Sequence, residues 1–221
     1  MPVFKTIPLT NGWISIWQLQ ETAEELLCFF SPGELESQDF SKFTFEKRKT
    51  EWLATRALLK QLIGNSFTIS YSDSGQPVLN HPVYQHISIT HSREFVAVFI
   101  HQSKQIGIDI ESQNRNYAPI LKKYLSEAER CHIKDNTSIP CLYWCAKEAL
   151  FKMVEEQGID FKKQFEIISA DPARQELLAR YISSGQEKTY LLNFIHLNDH
   201  YMVWVMNDPI QIKSDSNLRF C

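Results

Sequence analysis

Two short segments constrain this chain more than any other: Gly107-Ile-Asp-Ile-Glu111 and Trp144-Cys-Ala-Lys-Glu-Ala-Leu-Phe-Lys152. From Ile106 onward, isoleucines alternate with other residues. That is the period of a strand, whose successive side chains point to opposite faces. Ile106, Ile108 and Ile110 then share one face, and Asp109 and Glu111 share the other. The second segment reads as a helix, with Ala146, Ala149, Leu150 and Met153 at helical spacing. Trp144, Glu148 and Lys152 stack along roughly the opposite side, where Trp144 and Phe151 add apolar surface. A helix apolar on both sides is covered on both sides. Glu148 and Lys152 are therefore expected in a partly enclosed place, where charge is costly without a partner.

Two carboxylates at i and i+2 of one strand and a third from a helix repel one another unless a cation lies among them. The donors are hard oxygens, with no His or Cys beside them in the strand, and such a set suits Mg²⁺, which keeps several waters and takes further ligands from phosphate. Asp109, Glu111 and Glu148 are the candidate metal ligands, and Glu148 is also a candidate base. Lys152, one turn beyond Glu148, is placed to meet a phosphate on that metal. Either motif alone is commonplace, because i,i+4 Glu–Lys pairs support many surface helices. Their joint occurrence carries the reading.

Together the two motifs resemble the paired signatures of the 4′-phosphopantetheinyl transferase superfamily, in its longer monomeric type that activates peptide and polyketide synthetases. Three further runs fit the resemblance in order: Lys47-Arg48-Lys49 with Glu51-Trp-Leu-Ala-Thr-Arg56, Gly75-Gln-Pro77, and Ser88-Ile-Thr-His-Ser92. The family usually has lysine where Gln76 stands, serine at Thr90 and often glycine at Arg93. Ser31-Pro-Gly-Glu-Leu-Glu-Ser37 is acidic where some members carry lysines. The resemblance implies Mg²⁺-dependent transfer of 4′-phosphopantetheine from coenzyme A to a serine of an acyl, peptidyl or aryl carrier protein, with release of adenosine 3′,5′-bisphosphate. It assigns coenzyme A contacts to Lys47, Arg48, Arg56, Gly75, Gln76, Pro77, Thr90 and His91, and catalysis to Glu148 and Lys152. Two alternatives stay open: a Mg²⁺-dependent phosphohydrolase of coenzyme A or nucleotides, and a non-catalytic coenzyme A-binding module.

Length and composition set the frame. With 221 residues, 43% of them hydrophobic, the chain can form one large domain or two of about 100 residues each. A net charge of -3 gives no electrostatic case for nucleic acid, and no apolar run approaches the roughly 20 residues of a membrane span. Neither partner is expected. Cys28, Cys131, Cys141, Cys145 and Cys221 show no CxxC spacing, so free thiols in a reducing cytoplasm are expected. Cys145 reads as buried packing rather than a nucleophile. His81, His86 and His91 recur every five residues, which fits neither a helix face nor one strand face and argues against a zinc site.

The pattern predicts strands at Trp13–Leu19, Ile87–Thr90, Phe95–Ile100, Ile106–Glu111, Phe165–Ser169, Thr189–His196 and Tyr201–Met206. It predicts helices at Glu21–Phe30, stopped by Ser31-Pro-Gly33, and at Glu46–Ile63, amphipathic and ended by Gly64. A further helix starts near Leu125, capped by Ser126, and the signature helix follows a loop over Asp135–Pro140. The polar tail should fray. Mixed helices and hairpins place the chain in the α+β class. The resemblance implies two pseudo-equivalent halves with the active site between them. Residues 1–104 would carry the nucleotide contacts and 105–221 the metal and catalytic residues, in a monomer.

Overall fold

A computed structural model describes residues 3–36, 40–131, 133 and 138–211. Strands β1 (Val3–Leu9) and β2 (Gly12–Gln18) are followed by helices α1 (Ala23–Leu27), α2 (Pro32–Glu36) and α3 (Glu46–Ile63). Strands β3 (Thr68–Tyr71), β4 (Pro77–Asn80), β5 (His86–His91), β6 (Phe95–His101) and β7 (Ile106–Ser112) come next. Helices α4 (Leu121–Tyr124), α5 (Glu127–Cys131), α6 (Ile139–Val154) and α7 (Phe161–Gln164) precede strands β8 (Phe165–Asp171), β9 (Glu176–Ser183), β10 (Gln186–Leu197) and β11 (His200–Met206). The expected fraying tail, Cys221 and most of the loop before α6 lie outside the described residues.

The fold is α+β with antiparallel sheets. One sheet has the order β1-β2-β6-β5, a second the order β7-β11-β10-β9-β8, and β3 and β4 form a small hairpin. Helix α3 covers the first sheet, joining Leu53 and Leu58 to Trp17, Val96 and Val98 in one core. Helix α6 covers the second, joining Ala149 and Leu150 to Leu192 and Val203. A third core lies between the sheets, where Ile14, Ile16 and Phe99 meet Ile108, Ile110 and Trp204. The isoleucine face of β7 therefore packs on the other sheet, and its acidic face looks toward α6. Gly107 permits the close approach of α6, because a Cβ there would fall 1.9 Å from the carbonyl oxygen of Ala149.

Helix α3 departs from the amphipathic expectation. Every residue from Thr50 to Leu59 is buried, Glu51 and Arg56 included. Ser31-Pro-Gly33 also does more than stop α1. Pro32 opens α2, where its fixed φ suits the first turn, and Glu34 of that helix pairs with Lys60 of α3 at 2.8 Å. Pro140 lies inside the first turn of α6 rather than in the preceding loop, for the same reason. Ser126 and Glu129 form the expected capping exchange, each side chain accepting the other's backbone N–H.

Candidate active site

The site is built where the edge strands β5 and β7 meet. They share no backbone ladder. Instead the Ile108 and Ile110 N–H groups donate to Ser88 Oγ and Thr90 Oγ1, each at 3.1 Å. Unpaired edge N–H groups in a buried seam would be expensive, so two hydroxyls at i and i+2 are what this junction requires. Thr90 also donates to Asp109 Oδ1 at 3.1 Å, which accounts for the tolerance of threonine at this position.

Asp109 is buried, and its two oxygens differ. Oδ1 accepts from Thr90 and from Lys152 Nζ at 2.8 Å, while Oδ2 is buried without a hydrogen bond. Lys152 thus pairs with Asp109 rather than with Glu148 one turn back, and it also donates to the carbonyls of Ile89 and Ile108. Glu111 accepts from Trp144 Nε1 at 2.9 Å and from Arg115 at 2.8 Å. Burial, and then the charge of Asp109, push the Glu111 carboxyl upward. The same two causes raise Glu148 further, to about 7. Among the described residues the Glu148 carboxylate has no hydrogen bond. A buried oxygen without a hydrogen bond, beside two carboxyls raised by burial and by a neighbouring carboxylate, is a setting that a bound cation would relieve. The donor set fits a hard divalent ion.

The three carboxylates are nonetheless not gathered tightly. Among the described residues, the trio with ligand atoms within 4.8 Å of one another is Glu94, Asp199 and His200. That group sits at two hairpin turns. Asp199 spends its oxygens on His200, Ser112 and Asn114, so it works as a turn cap.

Beside Lys152 opens a cavity of ≈ 410 Å³ whose lining includes Arg48, Glu51, Trp52, Gln76, His91 and Lys152. It lies between α3, the β3–β4 turn, β5 and the C-terminal half of α6. Gly75 makes that turn with φ 82°, a conformation that favours glycine, and its N–H donates to the Ser72 carbonyl.

The family model of the 4′-phosphopantetheinyl transferase superfamily matches residues 105–205. Over those residues, just under half of its length, the chain is similar to this superfamily. None of the curated proteins compared matches it significantly. The matched stretch holds both of the segments singled out in the sequence, from β7 through α6, and ends within β11.

The structure brings most of the expected site residues to this one place. Gly75, Gln76, Pro77, Arg48, Arg56 and His91 line the cavity, and Lys152 links it to Asp109. Lys47 is largely exposed and lies 3.6 Å from Glu51. Arg56 is buried, with its guanidinium 3.4 Å from the centroid of the Trp52 ring, and burial holds it down to about 10. Thr90 is also buried, its hydroxyl engaged within the protein. Cys145 is fully buried, which pushes its thiol well up and removes it as a nucleophile. His81 uses Nδ1 to accept the N–H groups of Val83 and Tyr84 in its own turn.

Sequence reasoning missed four contributors. Arg115 and Tyr117 close over Glu111 and Trp144. Glu51 is a buried carboxylate inside a cationic cluster, and its i,i+3 and i,i+4 spacing to Arg48 and Lys47 was a usable signal. Lys147 carries no such signal: it is fully buried beneath α6, bonded to Glu129 at 2.8 Å and to the carbonyls of Tyr124 and Phe165.

Proposed function

We propose that this chain transfers the 4′-phosphopantetheine arm of coenzyme A to a serine hydroxyl of an apo acyl, peptidyl or aryl carrier protein, and that it needs Mg²⁺. The observation that carries the reading is the position of Lys152, which lines the nucleotide-sized cavity and at the same time bonds Asp109 of the carboxylate cluster. A diphosphate running from one to the other would place its bridging region at that lysine. Phosphoryl transfer is accelerated by positioning and charge neutralisation rather than by covalent chemistry.

Asp109, Glu111 and Glu148 would hold Mg²⁺, which when bound neutralises charge on the diphosphate oxygens. The serine attacks the β-phosphorus, and adenosine 3′,5′-bisphosphate leaves. Glu148, or a water held beside it, would accept the serine proton. Lys152 can turn from Asp109 to the leaving phosphate, where negative charge grows as the bond breaks. Arg48 and His91, which line the same cavity as the β3–β4 turn, would hold the nucleotide's phosphates. In this division, residues 1–104 supply the nucleotide contacts and 105–221 the metal and catalytic groups. A complete second sheet with its own helix before the matched region supports the longer monomeric type. No helix among the described residues is long and apolar enough to cross a membrane, and Cys28, Cys131, Cys141 and Cys145 are free thiols. We place the activity in the cytoplasm.

Release of adenosine 3′,5′-bisphosphate from coenzyme A, followed by chromatography, tests the reading. It should require both Mg²⁺ and apo carrier protein. Release at the same rate without a carrier would overturn transfer in favour of hydrolysis.

A further inference from the structure

A carboxylate buried in an anion-binding cavity looks counterproductive. Glu51 is 4% exposed, sits on α3 and lines the cavity proposed for the nucleotide. Its surroundings are cationic: Lys47 and Arg48 on its own helix, His91 from the end of β5, and Lys152 from α6 facing that histidine. Arg48 Nη1 donates to Glu51 Oε2 at 2.9 Å and lies 3.1 Å from His91 Nε2. A guanidinium has no acceptor. His91 Nε2 must therefore be the acceptor, and the ring proton sits on Nδ1. That nitrogen lies 3.4 Å from Glu51 Oε1, a buried oxygen with no hydrogen bond of its own.

We infer that Glu51 is a positioning residue that makes His91 a cationic phosphate ligand: it holds the imidazole by Nδ1 so that Nε2 gains a proton and donates to a phosphate of the bound nucleotide. The proposal rests on the function proposed above and adds the device that charges its histidine. In the structure Arg48 occupies Nε2. A phosphate attracted to Arg48 draws that donor away and leaves the ring nitrogen facing an anion, which it can meet only as N–H. The proton comes from solvent. Burial and the charges of Arg48, Lys152 and Lys47 all oppose it, and Glu51 alone among these neighbours favours it. A carboxylate behind an imidazole fixes its tautomer and stabilises its protonated form.

The test is calorimetric titration of adenosine 3′,5′-bisphosphate into the wild type, Glu51→Gln, His91→Ala and the double variant, each in two buffers of different ionisation enthalpy. The wild type should take up protons on binding. Glu51→Gln should bind about tenfold more weakly, the scale of one charge-assisted hydrogen bond, and take up fewer protons. In the His91→Ala background the same substitution should have no effect. Unchanged or tighter binding by Glu51→Gln, or an equal loss with and without His91, overturns the proposal. A wild type that binds neither this nucleotide nor coenzyme A overturns the functional reading and this inference with it. Ring ¹⁵N shifts of His91 in the wild type provide a check that needs no variant. The free protein should show the Nδ1–H tautomer and the complex a doubly protonated ring; a ring that stays neutral in the complex refutes the device.

Discussion

Glu148→Gln offers a test in which stability and activity should move in opposite directions. The Glu148 carboxyl is raised from the ordinary 4.5 to about 7, by burial first and by Asp109 second. A carboxyl raised in the folded state penalises folding once it ionises. Below about pH 4.5 both folded and unfolded chains hold the proton and there is no penalty. Between 4.5 and 7 the folded chain keeps a proton that the unfolded chain gives up, so stability falls as pH rises, and above 7 the penalty is complete. A displacement of this size corresponds to roughly 3 kcal/mol, discounted to about 2 kcal/mol because the side chain is half-buried. For a chain of this length that is about 4–8 °C in melting temperature. In EDTA at pH 8, Glu148→Gln should melt above the wild type by that margin, and the two curves should converge near pH 4.5. Mg²⁺ should raise the wild type at pH 8 and do little for the variant, which should have lost transfer activity. Identical pH dependence of the two proteins in EDTA would refute the reasoning, because Glu148 would then not be crowded by Asp109.

Lys152→Ala should lower the transfer rate by about 10²-fold while weakening coenzyme A affinity much less, since its contact strengthens in the transition state; Lys152→Arg should rescue only in part, and a normal rate for the alanine variant in single-turnover kinetics would remove the catalytic role. Lys147→Met should cost about 3–5 kcal/mol in urea unfolding, because Glu129 is left buried without its cation. Gly107→Ala should reduce stability and soluble yield by forcing α6 away from β7, since its Cβ would meet the Ala149 carbonyl. A melting temperature within a degree or so of wild type would show that α6 can shift freely.

The candidate site was legible where chemistry and local period coincide. The alternation of β7 put Asp109 and Glu111 on one face, and the helical spacing of α6 put Glu148 and Lys152 together. What stayed hidden depends on partners far away in the chain. The Ser88 and Thr90 hydroxyls matter because β7 arrives beside β5, and Lys147 is buried because Glu129 and the Tyr124 and Phe165 carbonyls converge under α6. Fold reading shows the same division. Helix α3 was readable end to end from Glu46 to its Gly64 stop, whereas its burial all round depends on packing. Strand β1 was missed because it is a mostly exposed edge with Pro8 in it. Strand β9, Glu176-Leu-Leu-Ala-Arg180 onward, has helix-forming residues and becomes a strand because β8 and β10 flank it.

The most direct measurement of the central claim is the intact mass of apo carrier proteins, drawn from fatty acid, peptide and polyketide synthetases, after incubation with this chain, coenzyme A and Mg²⁺. The expected result is that at least one carrier gains a single phosphopantetheine on its serine, and that EDTA abolishes the gain. Coenzyme A consumed with every carrier unmodified, or bound with no turnover at all, would contradict it.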